Sequence, residues 1–142
     1  MHRIRKGAVR VAVLIVAFIV VAALLMWVVD AFQKAHQDGQ RQEKAEVQAQ
    51  LLEPAIRAFH KATGRMPLSL LDRFPDGRSF ASTLPDSNCL PNAFTGRRTE
   101  PRFFDRLHDK ADKGTIAIVS ENGRGYIVVY GSRETSALKI RI

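Results

Sequence analysis

From Val11 to Val29 the chain reads VAVLIVAFIVVAALLMWVV, nineteen apolar residues without a charge, a proline or a glycine. A helix of that length rises roughly 28 Å, close to the ~30 Å hydrocarbon layer of a bilayer. The run predicts a transmembrane helix. Residues 30–42 then turn polar, and Gly39 weakens helix there without forbidding it. Helical periodicity returns over Glu43–Thr63. Val47, Leu51, Leu52, Ala55, Ile56 and Phe59 fall on one expected inner face, with Glu46, Gln50, Glu53, Arg57 and Lys61 facing away. Pro54 removes one backbone bond, but the pattern stays in phase across it, which predicts one bent helix. Gly64 and Pro67 are placed to end it.

Periodicity is lost over 66–100. Pro67, Pro75, Pro85 and Pro91 alternate with the turn residues Asp76-Gly77, Asp86-Ser87-Asn88 and Thr95-Gly96. A short helix over 68–74, with Leu68, Leu71 and Phe74 inward, and a further helical turn or packed loop over 101–110 are the elements expected there. Near the C-terminus the period changes. GTIAIVS (114–120) and GYIVVYG (125–131) are rich in β-formers and flank Asn122-Gly123, a strong hairpin signal. In SALKIRI (136–142) Leu138, Ile140 and Ile142 alternate with Lys139 and Arg141, the pattern of a half-buried strand. The expected fold is α+β: a transmembrane helix continuing into an amphipathic helix, a loop-rich middle, and a three-stranded antiparallel C-terminal meander packed on the helix.

Charge orients this arrangement. Arg3, Arg5, Lys6 and Arg10 precede the apolar run, whereas the segment after it is mixed, so the N-terminus is expected in the cytoplasm and residues 43–142 outside. Trp27 suits the outer headgroup layer. A cleaved secretory signal is the competing reading, but its apolar core usually spans about 7–15 residues. The organisation expected is a basic cytoplasmic segment (1–10), a membrane span (11–29), a polar connector (30–42) and one extracytoplasmic domain (43–142). With 22 Lys and Arg against 14 Asp and Glu the net charge is +8. The topology rule accounts for the basic N-terminus, and the other bases are interleaved with acids, so nucleic acid is not expected as a partner. The single Cys89 excludes an intrachain disulfide.

Catalytic chemistry finds little support in these residues. His2, His36, His60 and His108 share no metal-ligand spacing with each other or with Cys89, so neither metal nor cofactor is expected. Asp105 and His108 would stand one turn apart in a helix and could exchange a proton, but a surface turn is the simpler reading. Ser69, Ser79 and Ser82 lie in no nucleophile-elbow context. The chain is therefore not expected to be an enzyme, nor to take a small-molecule substrate. The cluster Arg97-Arg98-Thr99-Glu100-Pro101-Arg102 marks Arg97, Arg98 and Arg102 as candidate contacts for an anion or a partner protein.

Three local stretches, in this order, resemble the pseudopilins of type II secretion and the related type IV pilins. In AIRAFHKATGRMPLSL (55–70) Phe59, Gly64 and Pro67 match a family pattern in which an apolar helical face ends in an aromatic residue, a glycine and a proline. LPNAFTG (90–96) is similar to the family's Pro-x-x-aromatic-Thr-Gly turn, and the hairpin with Tyr126 and Tyr130-Gly131 resembles its closing strands. The resemblance covers roughly residues 45–131. It implies a non-enzymatic, single-pass subunit or assembly component of a secretion or pilus system in the bacterial inner membrane, with its domain periplasmic or extracellular. The implied partners are the lipid bilayer and either further copies or pilin-class proteins. It also makes Gly7 and Ala8 the candidate leader-processing site. The chain departs from the family by lacking a glutamate after Gly7, where Arg10 stands near instead. It also lacks an acidic calcium loop, since Glu121, Asn122 and Glu134 are too few and too scattered for a hard cation. The alternative is a membrane-anchored extracytoplasmic binding module for an anionic ligand or partner.

Overall fold

A computed structural model of the protein describes residues 2–84 and 90–142. The turn expected at 86–88, Pro85 and Cys89 lie outside the described residues. Helix α1 runs from His2 to Thr63, through both Gly39 and Pro54. The chain divides into two compact units, Met1–Gln37 and Asp38–Ile142.

In the first unit the apolar side chains of α1 are bare all round: Phe18 is 74% exposed, Trp27 69% and Val20 51%. Among the described residues this is the one helix long and apolar enough to cross a membrane. Its surface has no protein partner within the chain. That is compatible with a membrane anchor.

In the second unit the end of α1 meets a sheet. The buried stripe is Ala45, Ala49, Leu52, Ile56 and Phe59, spaced four and three residues apart. Val47 and Leu51, expected inside, are 49% and 56% exposed. They lie about 100° round the helix from Gln48 and Leu52, and the sheet approaches the side that carries the small Ala45 and Ala49. Gly131 marks how near that approach is, because a Cβ there would stand 2.6 Å from Gln42 Oε1. The last turn of α1 carries His60 and Lys61, which complement the negative end of the helix. Gly64 caps it at φ 73° with its N–H bonded to the His60 carbonyl at 2.8 Å.

The segment after the cap is not the expected helix over 68–74. Leu68 and Leu71 are exposed, and only Phe74 is buried. Asp72 organises the loop by accepting from the Leu68 N–H at 2.7 Å and from Arg65 Nη1 at 2.9 Å. Burial alone would push its carboxyl up. The two bonds outweigh that and hold it below its ordinary range. A 3₁₀ turn follows at Phe80–Thr83, capped by Ser79. It delivers Phe80 beside Phe59 and Phe74, whose rings stand edge to face with that of Phe59 at 5.4 and 5.1 Å.

Six strands follow. β1 (Leu90–Pro91) pairs antiparallel with β2 (Arg98–Thr99). The main sheet has the order β3-β4-β5-β6, with β3 at Arg102–Phe104, β4 at Ile116–Glu121, β5 at Arg124–Tyr130 and β6 at Ser136–Arg141. It is a four-stranded mixed sheet, one strand more than the expected meander. The addition is β3, parallel to β4 through the pairs Arg102–Ala117, Phe103–Ile118 and Phe104–Val119, where a helical turn or loop was expected. β4 and β5 join at Asn122 and Gly123, both at positive φ (50° and 74°), with Glu121 opposite Arg124.

Both faces of this sheet are covered. Ile116, Ile118, Ile127 and Val129 join the stripe of α1, with Leu138, Ile140 and Phe103 at the margin. Ala117, Val119, Val128 and Tyr130 form a second cluster with Phe104, Leu107, Ala111 and Tyr126. The strap after β3 thus closes the side away from the helix. Tyr130 pins it, its hydroxyl donating to the His108 carbonyl at 2.7 Å, and burial pushes its phenol up. Ala111 N–H donates to the Glu134 carbonyl at 2.9 Å.

Candidate functional site

The turn of 92–97 is closed by the side chain of Asn92. Asn92, only 8% exposed, accepts at Oδ1 from the N–H groups of Phe94 (2.8 Å) and Thr95 (3.1 Å). Its Nδ2 donates to the carbonyl of Lys113 at 2.8 Å. Its backbone N–H donates to the Arg97 carbonyl and its carbonyl accepts from Gly96 N–H, each at 2.8 Å. An asparagine suits this position because a short amide accepts locally and donates at a distance at once. The turn of 92–97 is thereby stapled to the turn of 112–115, 21 residues away in sequence. Gly114 permits the contact. It sits at φ 74°, and a Cβ on it would run into the Asn92 amide, 2.8 Å from Cγ. On the helix side, Gln48 Nε2 donates to the Pro91 carbonyl at 2.9 Å, which satisfies another buried polar group.

Between these two turns lies an open cleft of about 420 Å³. Arg97, Arg102 and Lys113 bring three cations to it, and Glu100 and Asp112 two carboxylates. Thr95, Thr99 and Thr115 supply hydroxyls, and Asn92 forms part of its floor. Among the described residues the lining contains no aromatic side chain and no large aliphatic one. None of the three cations forms an ion pair among the described residues, whereas Arg57, Arg65 and Arg78 each stand 2.6–2.9 Å from a carboxylate. Such a surface can hold an anion by charge-assisted hydrogen bonds.

Of the three arginines singled out from sequence, the cleft gathers Arg97 and Arg102, while Arg98, exposed on β2, is not part of its lining. Lys113 joins them with no local signal to announce it. Asn92 does leave one, in the Asn-x-x-Thr-Gly spacing of a side-chain-closed turn. Gly7 and Ala8 lie within α1, with open space beside Gly7. Asp105 and His108 are not on a helix. His108 instead lays its ring against that of Phe104, with centroids 4.3 Å apart. Ser69 accepts from Leu71 N–H, and Ser82 donates to the Ser79 carbonyl, so both close turns. Among the described residues no group of His, Cys, Asp and Glu could hold a metal ion.

Compared with known proteins, the chain matches no family model, no curated protein and no solved structure.

Proposed function

We propose that this protein is a single-pass membrane subunit of pseudopilin type, a structural or assembly component of a secretion or pilus machine and not an enzyme. In this reading residues 11–29 lie in the bacterial inner membrane, the basic N-terminus faces the cytoplasm, and residues 43–142 stand in the periplasm or outside the cell. The observation that carries the reading is the bare apolar surface of α1 in the first unit, followed in the same chain by an α+β unit built on the end of that helix. Hydrocarbon satisfies the first surface, since the helical backbone bonds internally. Val47 and Leu51, apolar and uncovered, are natural points of contact for a neighbouring copy or a pilin-class protein.

The test has two parts. After alkaline carbonate extraction of membranes the protein should stay in the pellet, and a C-terminal reporter should be active outside the cytoplasm. A photo-crosslinker at position 47 or 51 in intact membranes should capture a further copy or a pilin-class partner. Recovery of monomer alone, or a protein released by carbonate, overturns the proposal. The mature N-terminus identifies the subclass: a start at Ala8 means that Gly7 is a cleavage site, and a start at Met1 means a plain anchor.

A further inference from the structure

We propose that the cleft between the 92–102 loop and the 112–115 turn binds a phosphoryl group carried on a small hydroxylated molecule. Three observations lead there. The first is charge: Arg97 and Arg102 on the 92–102 loop and Lys113 on the 112–115 turn reach the cleft from both of its walls, and none is neutralised by a carboxylate of the protein within ion-pair distance among the described residues. Glu100 and Asp112 share the lining without pairing with them, so the site presents an excess of one positive charge to whatever enters. Planar guanidinium groups match the oxygens of phosphate in pairs, and two of them with an ammonium surround a tetrahedral oxyanion better than a planar carboxylate.

The second observation is the character of the rest of the lining. At about 420 Å³ the cleft is at the small end of ligand sites. Among the described residues the lining has no aromatic and no large aliphatic side chain, so it offers a base or an acyl chain only the guanidinium planes of Arg97 and Arg102 and the carbon of its polar side chains. Thr95, Thr115, Glu100 and Asp112 are instead suited to hydroxyls, which both donate and accept. A phosphate ester of a short polyol has both halves of this chemistry.

The third is that the walls are built before any ligand arrives. The Asn92 amide spends its hydrogen bonds on Phe94, Thr95 and Lys113, which fixes the spacing of the two turns that carry Arg97 and Lys113. A preformed site avoids the ordering cost that weakens binding to mobile loops.

The same chemistry has two sources, a free polyol phosphate and the headgroup of a phosphatidylglycerol. The test uses the full chain in an uncharged detergent micelle, titrated with glycerol 3-phosphate and followed by amide chemical shifts. Saturable binding with Kd on the order of 1 mM is expected for so open a site, with shifts centred on residues 92–102 and 112–115. Arg97→Gln, Arg102→Gln and Lys113→Gln should each weaken it roughly tenfold, while Arg98→Gln, outside the lining, leaves it unchanged. Because these side chains are exposed, the variants keep the fold, and the unshifted amides of β4 and β5 report this directly. Acetate at equal ionic strength should not compete. Non-saturable binding, full affinity in Arg97→Gln/Arg102→Gln, an equal loss in Arg98→Gln, or competition by acetate overturns the proposal. Reconstitution into bilayer discs separates the sources. If phosphatidylglycerol in place of phosphatidylcholine abolishes the response to glycerol 3-phosphate, the headgroup fills the cleft; if the response persists, the free ester is the ligand.

Discussion

Replacing Gly114 by alanine isolates the contact on which the cleft depends. Two costs are expected. Alanine at φ 74° carries the left-handed backbone penalty, roughly 1–2 kcal/mol. The new methyl would also stand 2.8 Å from Asn92 Cγ and 2.9 Å from its Nδ2, inside van der Waals contact, so the amide must move. It cannot move while keeping its bonds to Phe94 N–H, Thr95 N–H and the Lys113 carbonyl. Losing two or three such bonds in a buried setting adds about 2–3 kcal/mol. The expected total is about 3–5 kcal/mol. Gly123→Ala is the matched control. It has the same φ of 74° and open space around it, so only the first cost applies. Native-state hydrogen exchange at core amides of β4 and β5, on the full chain in detergent, reads both as global stability. The gap between them should be about 2–3 kcal/mol, at least a roughly thirtyfold difference in exchange. Adding Asn92→Ala to Gly114→Ala removes the collision, so the double variant should cost clearly less than the sum of the singles. Equal losses in Gly114→Ala and Gly123→Ala, or strict additivity with Asn92→Ala, would refute the staple.

Three further outcomes follow from the packing. Phe59→Ala empties the space between Phe74 and Phe80 and should lower stability by about 3–5 kcal/mol, measured by the same exchange. Tyr130→Phe deprives the His108 carbonyl of its donor; it should cost about 1 kcal/mol and speed exchange at Ala111 more than at Ile118. It should also flatten the alkaline limb. The phenol is held above its ordinary value of 10.0, so its contribution is full below pH 10 and fades as pH rises through the folded value. Asp72→Asn acts at the other end. The folded carboxyl lies below its ordinary 3.8, so the stabilisation is present above that pH and is lost as pH falls through the folded value. The variant should therefore lose the wild-type decline in acid, seen as a flatter stability curve between pH 4 and lower values.

Local patterns were legible because their cause is local. A nineteen-residue apolar run needs no tertiary contact to form a helix long and apolar enough to cross a bilayer. Asn122-Gly123 takes the two positive φ values that its turn requires, and the alternation at Leu138, Ile140 and Ile142 leaves those side chains half-buried while Lys139 and Arg141 stay exposed. One further signal lies in the residues themselves. IAIV and YIVVY are continuous apolar runs, not alternating ones, and such runs belong to strands buried on both faces. They required a cover on the side away from α1. The strap carrying Phe104, Leu107 and Ala111 supplies it.

The sequence by itself determined where the chain is most apolar, that 43–63 is helical, and that 116–121, 124–130 and 136–141 are strands with a turn at Asn122-Gly123, because each of these is decided by neighbours a few residues apart. Tertiary structure alone decided which side of α1 faces the sheet, since Val47 and Leu51 are as apolar as the stripe that won. It decided that Arg102–Phe104 pairs parallel with β4, and that 68–74 is tied by Asp72 into a loop. It also placed Lys113 beside Arg97 and Arg102. These outcomes rest on contacts between distant segments, whose energies carry no period along the chain and exist only once the chain has closed on itself.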